Sequence, residues 1–338
     1  MSEPRRRNAD LLATERAQGR TRLTALPVEL QIEATNRCRR RCATCARSYY
    51  DAAANPLGDL TPALLDRLAE HFPLAERVLV GGYGEPLLAP LTAAIVARAA
   101  AAGCHTVLIT GGGDLTAEKA RELADVGLGE LLLSVDAADD RGMLARRGVT
   151  LREVLDNLTF FRVLAPAARA GFNVTLQIDN LDELPRLIEF AAANGAGFVA
   201  VHHQKIYTRR QAGQSVLRFP DRAASVFAQA ARLAREKNVE LALPPLSGTA
   251  PCEQPYRLLA VRHDGWVQGC CSAMFVAPLP RVLLGRLPAD DLLTLWNAPP
   301  LIAARQWTLG EGPADFPCAG CAFRVFTPAA HERFLDGC

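Results

Sequence analysis

The sequence predicts an α/β protein in which a parallel sheet with crossover helices precedes a small cysteine-rich module. Strand-like and amphipathic helical segments alternate from residue 28 to residue 203, which is typical of repeated βα units. From Cys252 onward the segments are short and contain nine prolines and six cysteines. A chain of 338 residues, 49 % of them hydrophobic, is long enough for one large domain and a smaller one.

Short apolar runs predict the strands, which we place at 28–33, 76–81, 105–110, 130–136, 172–178 and 197–203. Start signals such as Thr61-Pro62, an N-cap threonine followed by proline, predict the helices. We place these near 61–72, 90–102, 117–126, 150–164, 182–194 and 221–237. This pattern fits a doubly wound sheet and a barrel equally well, and both carry their active sites at the carboxyl ends of the strands.

Charge and composition narrow the class of protein. The net charge of +2 gives no electrostatic case for nucleic acid as a partner, and we expect Arg5-Arg6-Arg7 to be a solvated, flexible tail. The first 27 residues lack the apolar core of a signal peptide, and no stretch resembles a membrane span. We therefore expect a cytoplasmic protein with no membrane partner. Ten cysteines in such a chain favour metal ligation over disulfides.

Three of these cysteines, Cys38, Cys42 and Cys45, follow the first strand with the spacing C-x3-C-x2-C. Three thiolates on one loop leave an open position at a metal centre, where a substrate or cofactor can bind. The alternatives are half of a zinc site or plain reduced thiols. A zinc site normally needs further cysteines or histidines nearby, and within thirty residues the sequence offers only His71.

Glycine-rich and polar motifs follow the next strands. Gly81-Gly82-Tyr83-Gly84-Glu85-Pro86 ends the second strand, where glycines let a ligand approach the backbone closely. The third strand ends in Thr110-Gly111-Gly112-Gly113 and the fourth in Ser134-Val135-Asp136, with Arg146-Arg147-Gly148 beyond it. Gln177 lies near the end of the fifth strand.

The C-terminal module supplies a second cysteine set, namely Cys252, Cys270 and the pair Cys318-x2-Cys321. Four thiolates can enclose a metal completely, and their spacing does not distinguish an iron–sulfur cluster from zinc. Cys271 is an alternative to Cys270 as a ligand, and Cys338 is expected to be frayed and free.

Together these motifs resemble the radical S-adenosylmethionine (SAM) superfamily, in its SPASM/twitch-domain subgroup, over residues 28–324. The resemblance implies a partial (β/α)6 barrel at 28–245, after an N-terminal extension at 1–27 and before a SPASM/twitch domain at 246–338. It implies a [4Fe–4S] cluster on Cys38, Cys42 and Cys45 whose open iron binds SAM. Because Cys338 alone remains downstream of Cys321, the shorter twitch type with one auxiliary [4Fe–4S] cluster fits better than a full SPASM domain. Thr44 departs from the aromatic residue that many relatives carry there.

The resemblance also assigns SAM contacts. Gly82, Gly84 and Glu85 fall near the SAM amino group, and Ser134 falls close to SAM. Arg147 is the expected partner of the SAM carboxylate, since a guanidinium fork matches a carboxylate, although a surface role is an open alternative. Gln177 is a candidate contact for the ribose or adenine, or a plain strand-end residue. Gly111 replaces a family asparagine, so no polar contact is expected there.

The implied reaction is reductive cleavage of SAM to a 5′-deoxyadenosyl radical that abstracts hydrogen from the substrate. The first expectation is net oxidation of a small molecule resembling a sugar or aminocyclitol, with the auxiliary cluster as electron acceptor. A flavodoxin- or ferredoxin-type protein would be the electron donor. His202, His203 and Tyr207, at and beyond the end of the sixth strand, are the candidate catalytic groups for proton transfer.

Two alternatives remain open at this stage. One is a peptide- or protein-modifying maturase of the SPASM type. Only 27 residues precede the first strand, which leaves no room there for a leader-peptide-binding domain, although such a domain can be a separate protein. The other is a non-catalytic metal-cluster binding protein, and the intact Cys38, Cys42, Cys45 and Glu85 count against it.

Overall fold

A single ten-stranded sheet organises the part of the chain that the computed structural model describes, which comprises residues 2–49, 55–270, 283–312, 316–321 and 323–332. The strands are β1 (Glu29–Ile32), β2 (Arg77–Val80), β3 (His105–Thr110), β4 (Glu130–Ser134), β5 (Arg169–Leu176), β6 (Phe198–His203), β7 (Glu240–Ala242), β8 (Leu258–Val261), β9 (Trp266–Gln268) and β10 (Leu283–Arg286). Their order across the sheet is β10-β9-β8-β1-β2-β3-β4-β5-β6-β7.

The strands from β1 to β6 pair in sequential order and in parallel. A doubly wound sheet reverses its strand order at a switch point, whereas a barrel adds each strand beside the previous one. The observed order is therefore that of a partial (β/α)6 barrel, and the predicted fold class is confirmed. All six predicted strands are present, with ends shifted by a few residues.

The helices are α1 (Glu3–Ala17), α2 (Pro62–Ala69), α3 (Thr92–Ala101), α4 (Ala117–Asp125), α5 (Asp140–Arg147), α6 (Leu151–Leu164), α7 (Leu184–Ala193), α8 (Arg209–Ala212), α9 (Pro220–Glu236), α10 (Gln254–Arg257), α11 (Leu292–Trp296), α12 (Pro299–Thr308) and α13 (Pro328–Glu332). The predicted N-cap Thr61 accepts a hydrogen bond from the backbone N–H of Leu64 at 3.3 Å, and Thr116 at the start of α4 accepts one from Lys119 N at the same distance. The crossover helices cover the sheet with one continuous apolar core.

The first strand of the C-terminal module continues the barrel sheet. β8 pairs in parallel with β1, from Glu29 opposite Leu258 to Ile32 opposite Val261, and β9 and β10 follow as antiparallel strands. Hydrogen bonding extends one residue further, because Glu33 N donates to Val261 O at 2.9 Å. The boundary at residue 246 stays a prediction, and the sheet crosses it.

The N-terminal arginines are not a flexible tail, so that expectation was wrong. They lie in α1, and Arg5 is 3 % exposed. Its guanidinium donates to the carbonyl oxygens of Gly103 at 2.6 Å and Ala102 at 2.7 Å. Asn8 donates to Leu26 O at 3.0 Å. These contacts join residues far apart in the chain, which local sequence patterns do not show.

None of the helices in the described ranges combines the length and apolar character needed to cross a bilayer. Cys271, the alternative ligand to Cys270, and Cys338, expected to be frayed and free, lie outside the described residues.

Candidate active site

The loop after β1 carries the first cysteine set and is fixed mainly by its own backbone and by Asn36. Cys45 N donates to Cys42 O at 3.1 Å, which closes a turn around the last two cysteines. Asn36 is buried, and its side chain donates to Pro56 O at 3.0 Å and accepts from Gly58 N at 2.9 Å. The loop is therefore held against the segment at 55–59.

The three thiols converge. Burial raises the pKa of each of them, and the charge of a second thiol raises it further: Cys42 acts on Cys38, Cys45 on Cys42, and Cys38 on Cys45. Such mutual repulsion between partly buried thiolates is relieved when a cation or a cluster binds between them. Three soft donors on one loop fit an iron–sulfur cluster with one open iron.

A partly buried arginine ties this loop to the segment that follows β3. Arg40 pairs with Asp114, and burial would lower the Arg40 pKa but the contact with Asp114 raises it above its ordinary value. The exposed Arg39 lies 3.8 Å from the same carboxylate. Arg40 was not singled out from the sequence, where it is one of three consecutive arginines.

The glycines after β2 are explained by contact with the cysteine loop. A Cβ on Gly84 would lie 2.2 Å from Thr35 O and 2.7 Å from Arg37 O. A Cβ on Gly82 would lie 2.6 Å from an oxygen of Glu33. Both residues therefore allow close approach, as predicted, but the group that approaches within this structure is the loop itself.

Glu85 lies at the centre of this junction and is 4 % exposed. Its backbone N–H donates to Arg37 O at 2.8 Å. Its carboxyl group accepts hydrogen bonds from Thr110 Oγ1 at 2.6 Å, Gly111 N at 2.9 Å and Leu87 N at 3.2 Å. Burial raises the pKa of Glu85, although these donors oppose it. Glu85 thus joins the ends of β2 and β3 beneath the cysteine loop.

At the end of β4, Asp136 organises the next group. Ser134 is buried at the strand end, and the carboxylate of Asp136, 1 % exposed, accepts from Arg147 Nε at 2.5 Å and from Thr175 N at 2.7 Å. Burial would lower the pKa of Arg147, but Asp136 raises it well above its ordinary range. The Cys42 thiol lies 3.8 Å from Arg147 O. The structure therefore brings Arg147 to the cysteine loop, and Ser134 lies two residues before its partner Asp136.

Arg146 and Gln177 belong to a neighbouring network. Arg146 donates to Gln177 Oε1 and to Asp179, both at 3.0 Å. Gln177 in turn donates to Gln204 Oε1 at 2.6 Å. The network links the ends of β5 and β6, so Gln177 is a buried strand-end residue that one of the two arginines contacts directly.

The three candidate catalytic residues near the end of β6 have different surroundings. His203 is buried, lies with Nε2 2.7 Å from Pro245 O, and packs against the rings of Phe326 and His331. Burial lowers its pKa despite the hydrogen bond. This position favours a structural role. His202 is exposed, and its ring lies edge-on to Phe323.

Tyr207 reaches the cysteine loop. Its ring stacks on that of Tyr49 with 5.2 Å between centroids. Burial raises its pKa, and the charges of Tyr83 and Cys45 add to the effect. Gln211 fixes this junction, accepting from Tyr207 N at 2.8 Å and donating to Ala43 O at 3.0 Å. Sequence reasoning missed Gln211, which carries no motif.

The four C-terminal cysteines converge although they are far apart in the chain. Burial raises the pKa of Cys252 to about 11, with Cys270 and Cys321 contributing, and it raises the pKa of Cys318 further, with all three other thiols contributing. A short antiparallel contact between Thr249 and Val325 brings the two cysteine segments together. Four soft thiolates in one place fit an iron–sulfur cluster or zinc.

Within the described ranges, no three His, Cys, Asp or Glu side chains are drawn together around the position of a single metal ion. The thiolates of an iron–sulfur cluster stand further apart than those around one ion, because the iron and sulfide of the cluster lie between them.

The C-terminal module also reaches the open end of the barrel. Phe323 lies two residues after Cys321 in sequence, and its ring contacts the ring of His202. The centroid of the Phe323 ring lies 4.7 Å from Lys205 Nζ. The second cysteine set therefore adjoins the residues that follow β6.

Comparison with known proteins agrees with an iron–sulfur site on the cysteine loop. The family profile of the radical SAM superfamily matches residues 32–191. The PqqA peptide cyclase of Methylobacterium nodulans is 28 % identical over 329 residues, covering 92 % of this chain and 81 % of the cyclase. SuiB of Streptococcus suis, solved with its precursor peptide SuiA, has a TM-score of 0.67 and 16 % identity over 88 % of this chain and 70 % of SuiB.

BtrN, solved in complex with AdoMet and 2-DOIA, has a TM-score of 0.51 and 17 % identity, covering 85 % of this chain and 88 % of BtrN. At these identities the two solved structures show the fold alone. The profile match, with the cysteine motif inside it, identifies residues 32–191 as a radical SAM domain, and the similarity to PqqA peptide cyclases over 92 % of the chain agrees with the SPASM/twitch-domain subgroup.

Proposed function

We propose that this chain is a peptide-modifying radical SAM enzyme. The observation that carries the proposal is the similarity to PqqA peptide cyclases, which extends over 92 % of the chain and so well beyond the radical SAM domain at 32–191. This similarity favours the peptide-modifying alternative over the small-molecule oxidation that the sequence analysis placed first. The domain boundaries at 28–245 and 246–338 are kept as part of the proposal.

Membership of the superfamily implies a [4Fe–4S] cluster and SAM binding. We assign the cluster to Cys38, Cys42 and Cys45, whose converging thiols suit it. When bound, the cluster and SAM supply a 5′-deoxyadenosyl radical that removes hydrogen from an unactivated C–H bond. The contribution of the chain is to hold that chemistry in a dry, fixed geometry.

The residues at the strand ends would hold SAM. Arg147, held by Asp136, presents a fixed positive charge for the SAM carboxylate, and the buried Ser134 at the end of β4 would contact SAM. Gly82, Gly84 and Glu85 shape the turn on which the amino group would rest. Gln177 is kept as a candidate contact with the nucleoside.

The C-terminal thiols, Cys252, Cys270, Cys318 and Cys321, would hold one auxiliary [4Fe–4S] cluster. The positive charge of Arg324 lowers the pKa of both Cys252 and Cys318, partly offsetting burial. A nearby cation favours the thiolate form that binds iron. A cluster held by these four residues would supply an electron acceptor for the substrate radical that hydrogen abstraction leaves.

A peptide would reach the site between the cysteine loop and the segment after β6. Tyr49 and Tyr207 form a stacked pair there, and the exposed ring of His202 lies edge-on to Phe323. Aromatic and polar side chains of this kind suit an extended peptide. His202 and Tyr207 are the groups placed to exchange a proton with it. A flavodoxin- or ferredoxin-type protein in a reducing cytoplasm would be the electron donor.

The second candidate is oxidation of a small molecule, and the likeness in fold to BtrN, which was solved with 2-DOIA, favours it. The two candidates share the cofactors and differ only in substrate.

The test is anaerobic reconstitution with iron and sulfide, reduction with dithionite and addition of SAM, followed by measurement of iron and 5′-deoxyadenosine. We expect about eight iron per chain, four for each of two clusters, with 5′-deoxyadenosine formed. Cys42→Ala should abolish its formation. Cys318→Ser should leave about four iron and retain SAM cleavage.

The substrate class is tested with short peptides encoded beside the gene and, in parallel, with aminocyclitols. A peptide that loses two hydrogens by mass spectrometry supports the proposal. Oxidation of an aminocyclitol with no peptide modified would overturn it in favour of the second candidate. Absence of bound iron from wild type would support a zinc site, whereas bound iron without SAM cleavage would support the non-catalytic cluster-binding alternative.

A further inference from the structure

A buried pair that none of the motifs includes, Glu33 and His263, joins the two halves of the molecule. Glu33 is fully buried and His263 is 4 % exposed. His263 Nδ1 lies 2.7 Å from Glu33 Oε1, and Tyr83 N donates to Glu33 Oε2 at 2.7 Å. The carboxyl group therefore accepts from two separate segments of the chain.

The carboxyl oxygen that contacts His263 is not the one that accepts from the Tyr83 amide. Oε1 can therefore accept from the Nδ1–H tautomer of the imidazole while Oε2 keeps its backbone donor. His263 N also points at Glu33 Oε1, at 3.5 Å. Both the backbone and the ring of His263 thus face Glu33.

The surroundings leave the pair no room to move. A Cβ on Gly82 would lie 2.6 Å from Glu33 Oε2, and a Cβ on Gly58 would lie 2.9 Å from the His263 ring. The Gly58 segment is the one that holds Asn36. The pair therefore packs against two of the segments that contact the cysteine loop, the turn after β2 and the segment at 55–59.

The two residues precede the two cysteine sets in sequence. Glu33 follows β1 and leads into the loop of Cys38, Cys42 and Cys45. His263 lies in the turn between β8 and β9, the hairpin that leads to Cys270. A change on one side of the pair is transmitted to the other, because packed, fully hydrogen-bonded groups do not deform independently.

We propose that Glu33 and His263 are a positioning pair through which the C-terminal hairpin sets the SAM-binding geometry of the cysteine loop. This proposal rests on the assignment of Cys38, Cys42 and Cys45 to the SAM-binding cluster. Neither residue touches the reacting atoms. Their effect acts through the loop and through the turn at Tyr83.

The test compares Glu33→Gln, His263→Leu and His263→Asn in the full, reconstituted chain. The readout is the dissociation constant for SAM, measured from the change that SAM causes in the electron paramagnetic resonance spectrum of the reduced cluster. We expect Glu33→Gln and His263→Leu each to weaken SAM binding about tenfold, as leaving one buried hydrogen-bonding group unsatisfied would do. The double variant should be no weaker than either single variant, since both remove one interaction.

His263→Asn is the rescue variant, because its amide nitrogen can donate from nearly the position of Nδ1. It should bind SAM within about twofold of wild type. Glu15→Gln is the matched control: Glu15 is a buried, hydrogen-bonded carboxylate on α1, far in sequence from both cysteine sets. It should leave the spectrum and the affinity unchanged.

Unchanged SAM binding in His263→Leu would overturn the proposal, as would additive losses in the double variant or an Asn variant no better than Leu. Failure of the function itself looks different, because wild type would then show no SAM-dependent spectral change. If Glu33→Gln does not fold, the Leu and Asn variants at position 263 still decide the matter.

Discussion

Gly84 illustrates how one atom decides the packing of the site. The sequence predicts a glycine that lets a ligand approach, and the structure shows the backbone of the cysteine loop filling that space instead. The oxygens of Thr35 and Arg37 lie where a Cβ would stand. Both are backbone atoms, so a larger residue at position 84 must displace the loop that carries the thiols.

We therefore expect Gly84→Ala to lose the first cluster and keep the auxiliary one. Iron after reconstitution should fall from about eight to about four per chain, with little 5′-deoxyadenosine formed. Gly197→Ala is the control, because a Cβ there meets nothing within 4 Å. Full iron loading in Gly84→Ala would show that the loop can shift without losing its ligand geometry.

At the scale of elements, one buried arginine joins the N-terminal segment to α10, α11 and α12. Arg305 on α12 is 0 % exposed. It donates to Pro255 O at 2.9 Å, to Thr21 O at 2.8 Å and to Trp296 O at 2.8 Å. Its guanidinium also lies 4.3 Å from the centroid of the Trp296 ring. Burial lowers the pKa of Arg305 to about 10, because removing the guanidinium from water disfavours its charged form.

Replacing Arg305 by Met should lower the free energy of unfolding by about 2–4 kcal/mol, because three buried carbonyl groups lose their donor. Urea unfolding followed by circular dichroism measures this. Arg232→Met, at an exposed position on α9, should change stability by less than about 0.5 kcal/mol. Equal effects of the two substitutions would show that water replaces the donor.

At the scale of the whole molecule, His203 links the barrel to the C-terminal module. Its ring packs on Phe326, and its Nε2 lies 2.7 Å from Pro245 O. His203 therefore contacts one segment before Cys252 in sequence and one after it. Burial lowers its pKa below the ordinary value of 6.5. The unfolded chain therefore binds this proton more tightly than the folded chain does.

The stability that neutral His203 provides is fully present above pH 6.5 and is lost as the pH falls towards the lower pKa of the folded state. We expect His203→Gln to be less stable than wild type by about 1 kcal/mol at pH 7.5. The difference in melting temperature should shrink below pH 6.5. Calorimetry from pH 7.5 to 5.5 measures it, with His105→Gln at the exposed start of β3 as the control. A pH-independent difference would contradict the linkage.

The sequence by itself determined the βα alternation, the cysteine triplet and the glycine turn at Gly82 and Gly84, because these features depend on local spacing. Their resemblance to a known family also gave the barrel and the expected cofactors. The sequence did not show that the arginines of α1 are docked, since Arg5 meets Gly103 only after folding.

Only the tertiary structure decided that Glu33 faces His263, that Asp136 holds Arg147, and that His203 has a carbonyl partner. Each of these contacts joins segments whose distance depends on the strand order and on loop packing. Local patterns specify the strands and turns, whereas the buried polar pairs between them depend on which strand ends become neighbours.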